Sequence, residues 1–251
     1  MFALPLFAAL FGLWLPELAH GADLTQQLTW NLSVKGQVVG TRTVTVKFVG
    51  ADEGQQRILE SWTEIHGQAG PVRLDWRQRL TAVAVGQDPA AFTSVIDEGG
   101  RAREIQGRYS PAQWTVTVNA DGRLKQTDWP IGKIDLSTAD LMDPDSRFPL
   151  AHFETARILS AESGDVVTGT VKSLGPSLID VKGAQVQCTG YQWDSGQGRQ
   201  TFWYSPEGFL VRYEITLVGI PMVAELAKPP PGGLDDFPVA AGHPKVEESA
   251  L

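Results

Sequence analysis

The chain has 251 residues, 20% of them charged and 42% apolar, with a formal net charge of −8. This is a globular composition, long enough for one β domain of ordinary size, and not that of a disordered chain. The acidic balance argues against a nucleic-acid surface, which needs clustered Lys and Arg, and against docking on anionic lipid by charge alone.

Met1 to Leu15 is almost wholly apolar and carries no charged side chain. Ala19-His20-Gly21-Ala22 follows, and small residues at Ala19 and Gly21 fit a signal peptidase cut after Gly21. Residues 1–21 therefore read as a signal peptide, and the mature protein is expected in the periplasm. No Lys or Arg stands near Met1, which departs from the standard pattern. The competing reading is a buried N-terminal helix; the apolar run is too short to span a membrane. Cys188 is the only cysteine, so no internal disulfide staples the fold. Its two readings are a reactive thiol and a small strand residue beside Val186. Core burial, with eight Trp and ten Phe, must supply the stability.

A single domain is expected over 22–227. Leu28, Trp30, Leu32 and Val34 share one face of a first strand, with Thr29, Asn31 and Ser33 on the other. Lys35-Gly36-Gln37 turns the chain into a second strand, Val38 to Val49, where Val44, Val46 and Phe48 oppose Thr43, Thr45 and Lys47. Two such strands make an antiparallel hairpin with one wet face. Arg57 to His66 alternates poorly, because Trp62 shares a face with Glu60 and Glu64; it reads as an edge strand or a cavity rim. From Val72 to Ala84, Leu74, Trp76, Leu80 and Ala82 face one way, and Arg73, Arg77 and Arg79 form a solvated outer row.

Short strands follow at Phe92 to Asp97, Ala102 to Arg108, Gln113 to Asn119 and Leu124 to Asp128. In the third, Trp114, Val116 and Val118 alternate with Thr115 and Thr117. Near 131–153 lies the one non-β stretch, where Asp135 or Ser137 can cap a short helix through Leu141. It either crosses from one half of the sheet to the other or plugs an open end. Strands resume at Glu154 to Ser160, Val166 to Leu174, Leu178 to Val181 and Val186 to Trp193. Gln200 to Leu217 is a hairpin turned by Pro206 and Gly208, with Phe209, Val211, Tyr213, Ile215 and Leu217 on one face. Gly219 to Ala227 adds a last strand, and 228–251, with three consecutive prolines, reads as a disordered tail.

The fold class is thus all-β, with roughly a dozen antiparallel strands and one short helical segment. One open sheet of that size would leave its apolar face in water, at about 25 cal/mol per Å². The sheet is expected to bend into a half-barrel, clam or barrel instead. Its apolar wall is drawn from Trp30, Leu32, Val44, Val46, Trp76, Trp114, Val116, Val211, Tyr213 and Ile215. A filled or an empty interior fits this pattern equally.

Three stretches carry a resemblance: Leu28-Thr29-Trp30-Asn31-Leu32 with Gly36 and Val39-Gly40; Ala156-Arg157-Ile158-Leu159-Ser160 with Gly164; and Phe202-Trp203-Tyr204 with Gly208-Phe209-Leu210-Val211-Arg212. Together they resemble uncharacterised exported β-proteins of Gram-negative bacteria, a domain of unknown function. These in turn are distantly similar to the periplasmic lipoprotein-carrier (LolA-like) β-clam, an unclosed barrel with an apolar interior. The chain lacks the several helices that plug the carrier's mouth. The resemblance implies a lipid or an acylated protein as ligand and brings no catalytic residues with it.

No catalytic constellation emerges. His66, His152 and His243 have no metal-ligand spacing, and Asp194-Ser195-Gly196 is a polar turn rather than a nucleophile elbow. Asp140, Asp143 and Asp145 crowd one loop, but lack the glycine and closing Glu of a calcium loop. Glu60 and Glu64 flank Trp62 as glycosidase carboxylates do, and an edge strand explains them as well. The expectation is a periplasmic, non-enzymatic protein that binds an apolar ligand such as a lipid or a lipoprotein acyl chain in a bent sheet. It needs no cofactor or metal and binds no nucleic acid. The alternatives are an envelope scaffold that binds a protein partner through a packed barrel and, behind it, a glycan-acting enzyme.

Overall fold

Period-two alternation dominates the molecule. The computed structural model describes residues 25–50, 55–86, 88–143, 146, 148–196, 198–217 and 219–227. The expected signal peptide, 1–21, and tail, 228–251, lie outside the described residues. Among the described residues, fifteen strands join one sheet. The first eight are β1 (Thr25–Val34), β2 (Gln37–Val49), β3 (Gln56–Ala69), β4 (Val72–Val85), β5 (Asp88–Glu98), β6 (Arg101–Tyr109), β7 (Gln113–Ala120) and β8 (Arg123–Pro130). The rest are β9 (Leu136–Ser137), β10 (Thr155–Leu159), β11 (Val166–Val181), β12 (Ala184–Asp194), β13 (Arg199–Tyr204), β14 (Leu210–Leu217) and β15 (Ile220–Leu226).

The topology is two meanders joined at their ends. Strands β1 to β8 run outward to one edge; the chain then crosses to the other edge and returns through β9 to β15. There β15 pairs with β1, Trp30 opposite Leu226. Every pairing is antiparallel except that of β9 with β10. Among the described residues four hairpins turn on two residues that both have positive φ: Lys35 and Gly36, Gly99 and Gly100, Asp121 and Gly122, Lys182 and Gly183. That geometry matches the twist of the flanking strands.

No ladder joins β8 to β9, so the sheet does not close by hydrogen bonds. The two arms meet instead through side chains of β7 and β8 and the β10–β11 turn. The Trp129 indole on β8 donates to the Gly164 carbonyl in the β10–β11 turn, at 3.3 Å. Gly164 has φ +77°, and a Cβ there would lie 2.8 Å from Val118 and 3.0 Å from Val116 of β7. Glycine thus lets the turn sit directly on the inner face of the opposite arm.

Between the meanders the expected helix does not form. A 3-10 turn, Ile131–Lys133, leads into β9. The proposed caps have other partners. The Asp135 carboxylate accepts Arg157 Nε at 2.9 Å, Nη2 at 2.6 Å and the Arg157 amide at 2.8 Å, which draws the segment alongside β10. This guanidinium holds the Asp135 carboxyl below its ordinary value. Ser137 donates its amide and hydroxyl to Asp140. The segment then runs across the concave side and buries Ala139, Leu141, Met142 and Leu150. Of the two expected roles it performs both: it crosses between the arms and it fills one end.

Two strand assignments change. β3 is an interior strand between β2 and β4, not an edge, and Trp62, 46% exposed, points outward with Glu60 and Glu64. Its alternation is poor in sequence because the inner face carries Ser61 and Thr63 between Leu59 and Ile65. The two short strands expected at Val166 to Leu174 and Leu178 to Val181 are one sixteen-residue strand, β11, with a register shift between Ser173 and Gly175.

Candidate functional site

The inner face divides into a packed part and a hollow part. The closing segment fills the packed part. Tyr204 donates its hydroxyl to Leu141 O at 3.1 Å, and its ring meets Phe148 edge-on at 6.1 Å. Arg57 of β3 pairs with Asp143 at 3.0 Å, both side chains well buried. Burial and the nearby charge of Arg42 act in opposite directions on the Tyr213 phenol, and burial prevails, raising its pKa.

Toward the other end the two arms enclose a cavity of about 420 Å³. Leu32, Ile65, Trp76, Ile215, Leu217 and Met222 form much of its apolar lining. Ser195, Arg199, Thr216 and Gly219 stand at its mouth, where the β12–β13 and β14–β15 turns meet solvent. A second hollow of about 440 Å³ adjoins it and shares Ile65, Trp76 and Leu217. These volumes lie in the range of small-molecule sites.

Deeper in, the lining turns polar. Arg42, Thr63 and Gln78 sit in register across β2, β3 and β4, with Arg42 opposite Thr63 and Thr63 opposite Gln78. Arg42 donates from Nε to Thr63 Oγ1 at 2.8 Å, from Nη1 to Met142 Sδ at 3.2 Å, and from Nη2 to Gln78 Oε1 at 3.5 Å. Gln78 in turn donates to Ser94 Oγ at 3.0 Å. The Arg42 guanidinium lies 5.6 Å from the centre of the Tyr213 ring. The Tyr213 hydroxyl is buried and meets no partner in hydrogen-bond geometry.

The expected apolar wall separates along this boundary. Leu32, Trp76, Tyr213 and Ile215 line the cavity. Trp30, Val44, Val46, Val116 and Val211 are fully or almost fully buried in the core away from it. Trp114 packs on Phe92 and Tyr109, beside a hollow of only about 30 Å³. The polar row was absent from the sequence expectation. Its signal was parity: Arg42 falls in step with Val44 and Val46, Thr63 with Ile65, and Gln78 with Trp76 and Leu80.

The other chemical candidates lie elsewhere. Glu60 pairs on the outer face with Lys47 at 2.7 Å. Asp140 is held by Ser137 and Asp143 by Arg57, while Asp145 lies outside the described residues. Cys188 is buried on β12, and burial, with a smaller contribution from Glu207, pushes its thiol up to about 12. A thiol so far from ionisation is an inert core residue rather than a nucleophile.

The family described as a domain of unknown function (DUF6134) matches residues 30–227. A solved structure, described as a beta-barrel-like protein of domain of unknown function DUF1849 from Brucella abortus, aligns with a TM-score of 0.53 at 13% identity. The alignment covers 80% of this chain and 95% of that one. At that identity the likeness speaks for the fold alone. No curated protein matches the chain.

Proposed function

The chain belongs to the DUF6134 family, and we propose that it binds an apolar, chain-like ligand, such as a lipid or a lipoprotein acyl group, in the concave cavity of its bent sheet. The observation that carries this reading is the cavity itself. A sheet this rich in Trp and Phe had the side chains to fill its interior, as it does at the Leu141 end. At the Trp76 end it leaves about 420 Å³ open to solvent through two turns. Each methylene moved from water into such a lining contributes about 0.8 kcal/mol. The signal-peptide pattern of residues 1–21 and the resemblance to periplasmic carriers support a role in the cell envelope. We take the role to be that of a binder.

A packed scaffold that binds a protein partner is the second reading, and the filled Leu141 end favours it. Native mass spectrometry of the full chain, before and after extraction with organic solvent, separates the two. The expected result is a bound lipid, or uptake of hexadecan-1-ol by the extracted protein, that Leu32→Trp reduces at least about tenfold by filling the cavity. A protein that neither retains nor takes up an alkyl chain would overturn the proposal in favour of the scaffold.

A further inference from the structure

We infer that the cavity selects single-chain amphiphiles with an anionic head group, carboxylate or phosphate, and that Arg42 is the residue that reads the head. The inference rests on the apolar-ligand reading above and adds the polar end of the ligand.

Arg42 is a cation taken out of water, 9% exposed on the inner face of β2. A buried guanidinium is costly unless an anion answers it. None does so from the described residues: the acceptors of Arg42 are the Thr63 hydroxyl, the Gln78 amide oxygen at the long distance of 3.5 Å, and the Met142 thioether. A thioether is a weak acceptor. Glu162 lines the same cavity, but its Oε2 accepts from Thr138 and Ser160 and makes no ion pair with Arg42. Beside Arg42, the Tyr213 hydroxyl is buried with its donor unused. Two terminal guanidinium nitrogens that reach only a thioether and a distant amide oxygen, and a phenol whose proton has no acceptor, line one cavity and form a preorganised oxyanion site.

Register sets the direction of the ligand. One step toward the mouth from Arg42, Thr63 and Gln78 come Gly40, Ile65 and Trp76, in the same pairing. Ile215 and Leu217 lie further out than Tyr213 along β14. The head group therefore enters first, to rest against Arg42 and the Tyr213 hydroxyl, and the alkyl chain trails past Ile65 and Trp76 toward the mouth. On the inner side Met142 of the closing segment ends the site.

Three sixteen-carbon ligands test this on the solvent-extracted full chain at pH 8: hexadecanoate, hexadecyl phosphate and hexadecan-1-ol, followed by isothermal titration calorimetry. At least one anionic ligand is expected to bind about tenfold to a hundredfold more tightly than the alcohol, the usual weight of charge-assisted hydrogen bonds. The tighter of the two anions identifies the source of the head group. Arg42→Met should abolish the preference, so that within the variant the anions bind no more tightly than the alcohol. The comparison on the unaltered protein stands even if that variant fails to fold. Equal binding of all three ligands would overturn the head-group inference and leave the apolar-ligand proposal standing. Displacement of the anionic ligands by equimolar acetate or inorganic phosphate would also overturn it, as a site for small anions. Binding of none would overturn both.

Discussion

Trp30→Ala is expected to destabilise the protein by about 3–5 kcal/mol, the range for truncating a fully buried aromatic. Trp30 lies on β1, the strand that ties the two meanders together, and is completely buried. It donates its indole N–H to Leu210 O of β14 at 3.0 Å and meets the Tyr213 ring edge-on at 6.4 Å. Truncation leaves a void at the centre of the sheet and strands a buried carbonyl. In thermal unfolding this corresponds to a fall in Tm of about 6–20 °C for a domain of this size. Trp62→Ala, on the outer face of β3, supplies the contrast and should stay within about 1 kcal/mol of the parent. Equal losses for the two would contradict the assignment of inner and outer faces.

Arg57→Met is the second large effect. Its partner Asp143 retains only 6% of its side-chain surface and belongs to the segment that seals one end of the curl. Removing the cation deprives the buried Asp143 carboxylate of this ion pair, in a hollow that Leu59, Ala84 and Phe92 also line. Breaking a buried pair in this way costs about 3–5 kcal/mol, measured by urea denaturation. The Arg57→Met, Asp143→Leu double variant should recover most of that loss, because it removes both charges of the pair at once. Lys47→Met, at the exposed pair with Glu60, should cost no more than about 1 kcal/mol. A double variant as unstable as the single would contradict this account of the pair.

The architecture was legible in the sequence wherever the alternation was clean. Leu28 to Val34, Val44 to Phe48 and Val211 to Leu217 gave both the strands and their inner faces, because side-chain period alone assigns those. The need for the sheet to curl followed from area: an apolar face with no helix to cover it. Four things were not legible. Asp135 and Ser137 look like helix caps, yet their partners, Arg157 and Asp140, are set by tertiary structure that a local capping rule does not contain. The interior position of β3 was hidden by Ser61 and Thr63, polar residues at buried inner positions that break the hydrophobic pattern; Thr63 is there as an acceptor for Arg42. For the same reason the Arg42, Thr63 and Gln78 row went unread: a polar residue at an inner position looks like an exception until its neighbours in register are known. Cavity and core residues were likewise inseparable beforehand. Trp30 and Leu32 sit on the same face of the same strand, and only the path of 131–153 decides which part of that face is covered.

On the proposed function, the curl of the sheet holds its ligand inside. Crystals of the full chain grown with 16-bromohexadecanoate, measured at the bromine absorption edge, locate the end of the alkyl chain directly. The account predicts an anomalous peak inside the curl, on the mouth side of Trp76 and between β4 and β14, with the carboxylate deeper toward Arg42. A peak on the outer face near Trp62, or a ligand lying along the exposed edge of β8, would contradict it.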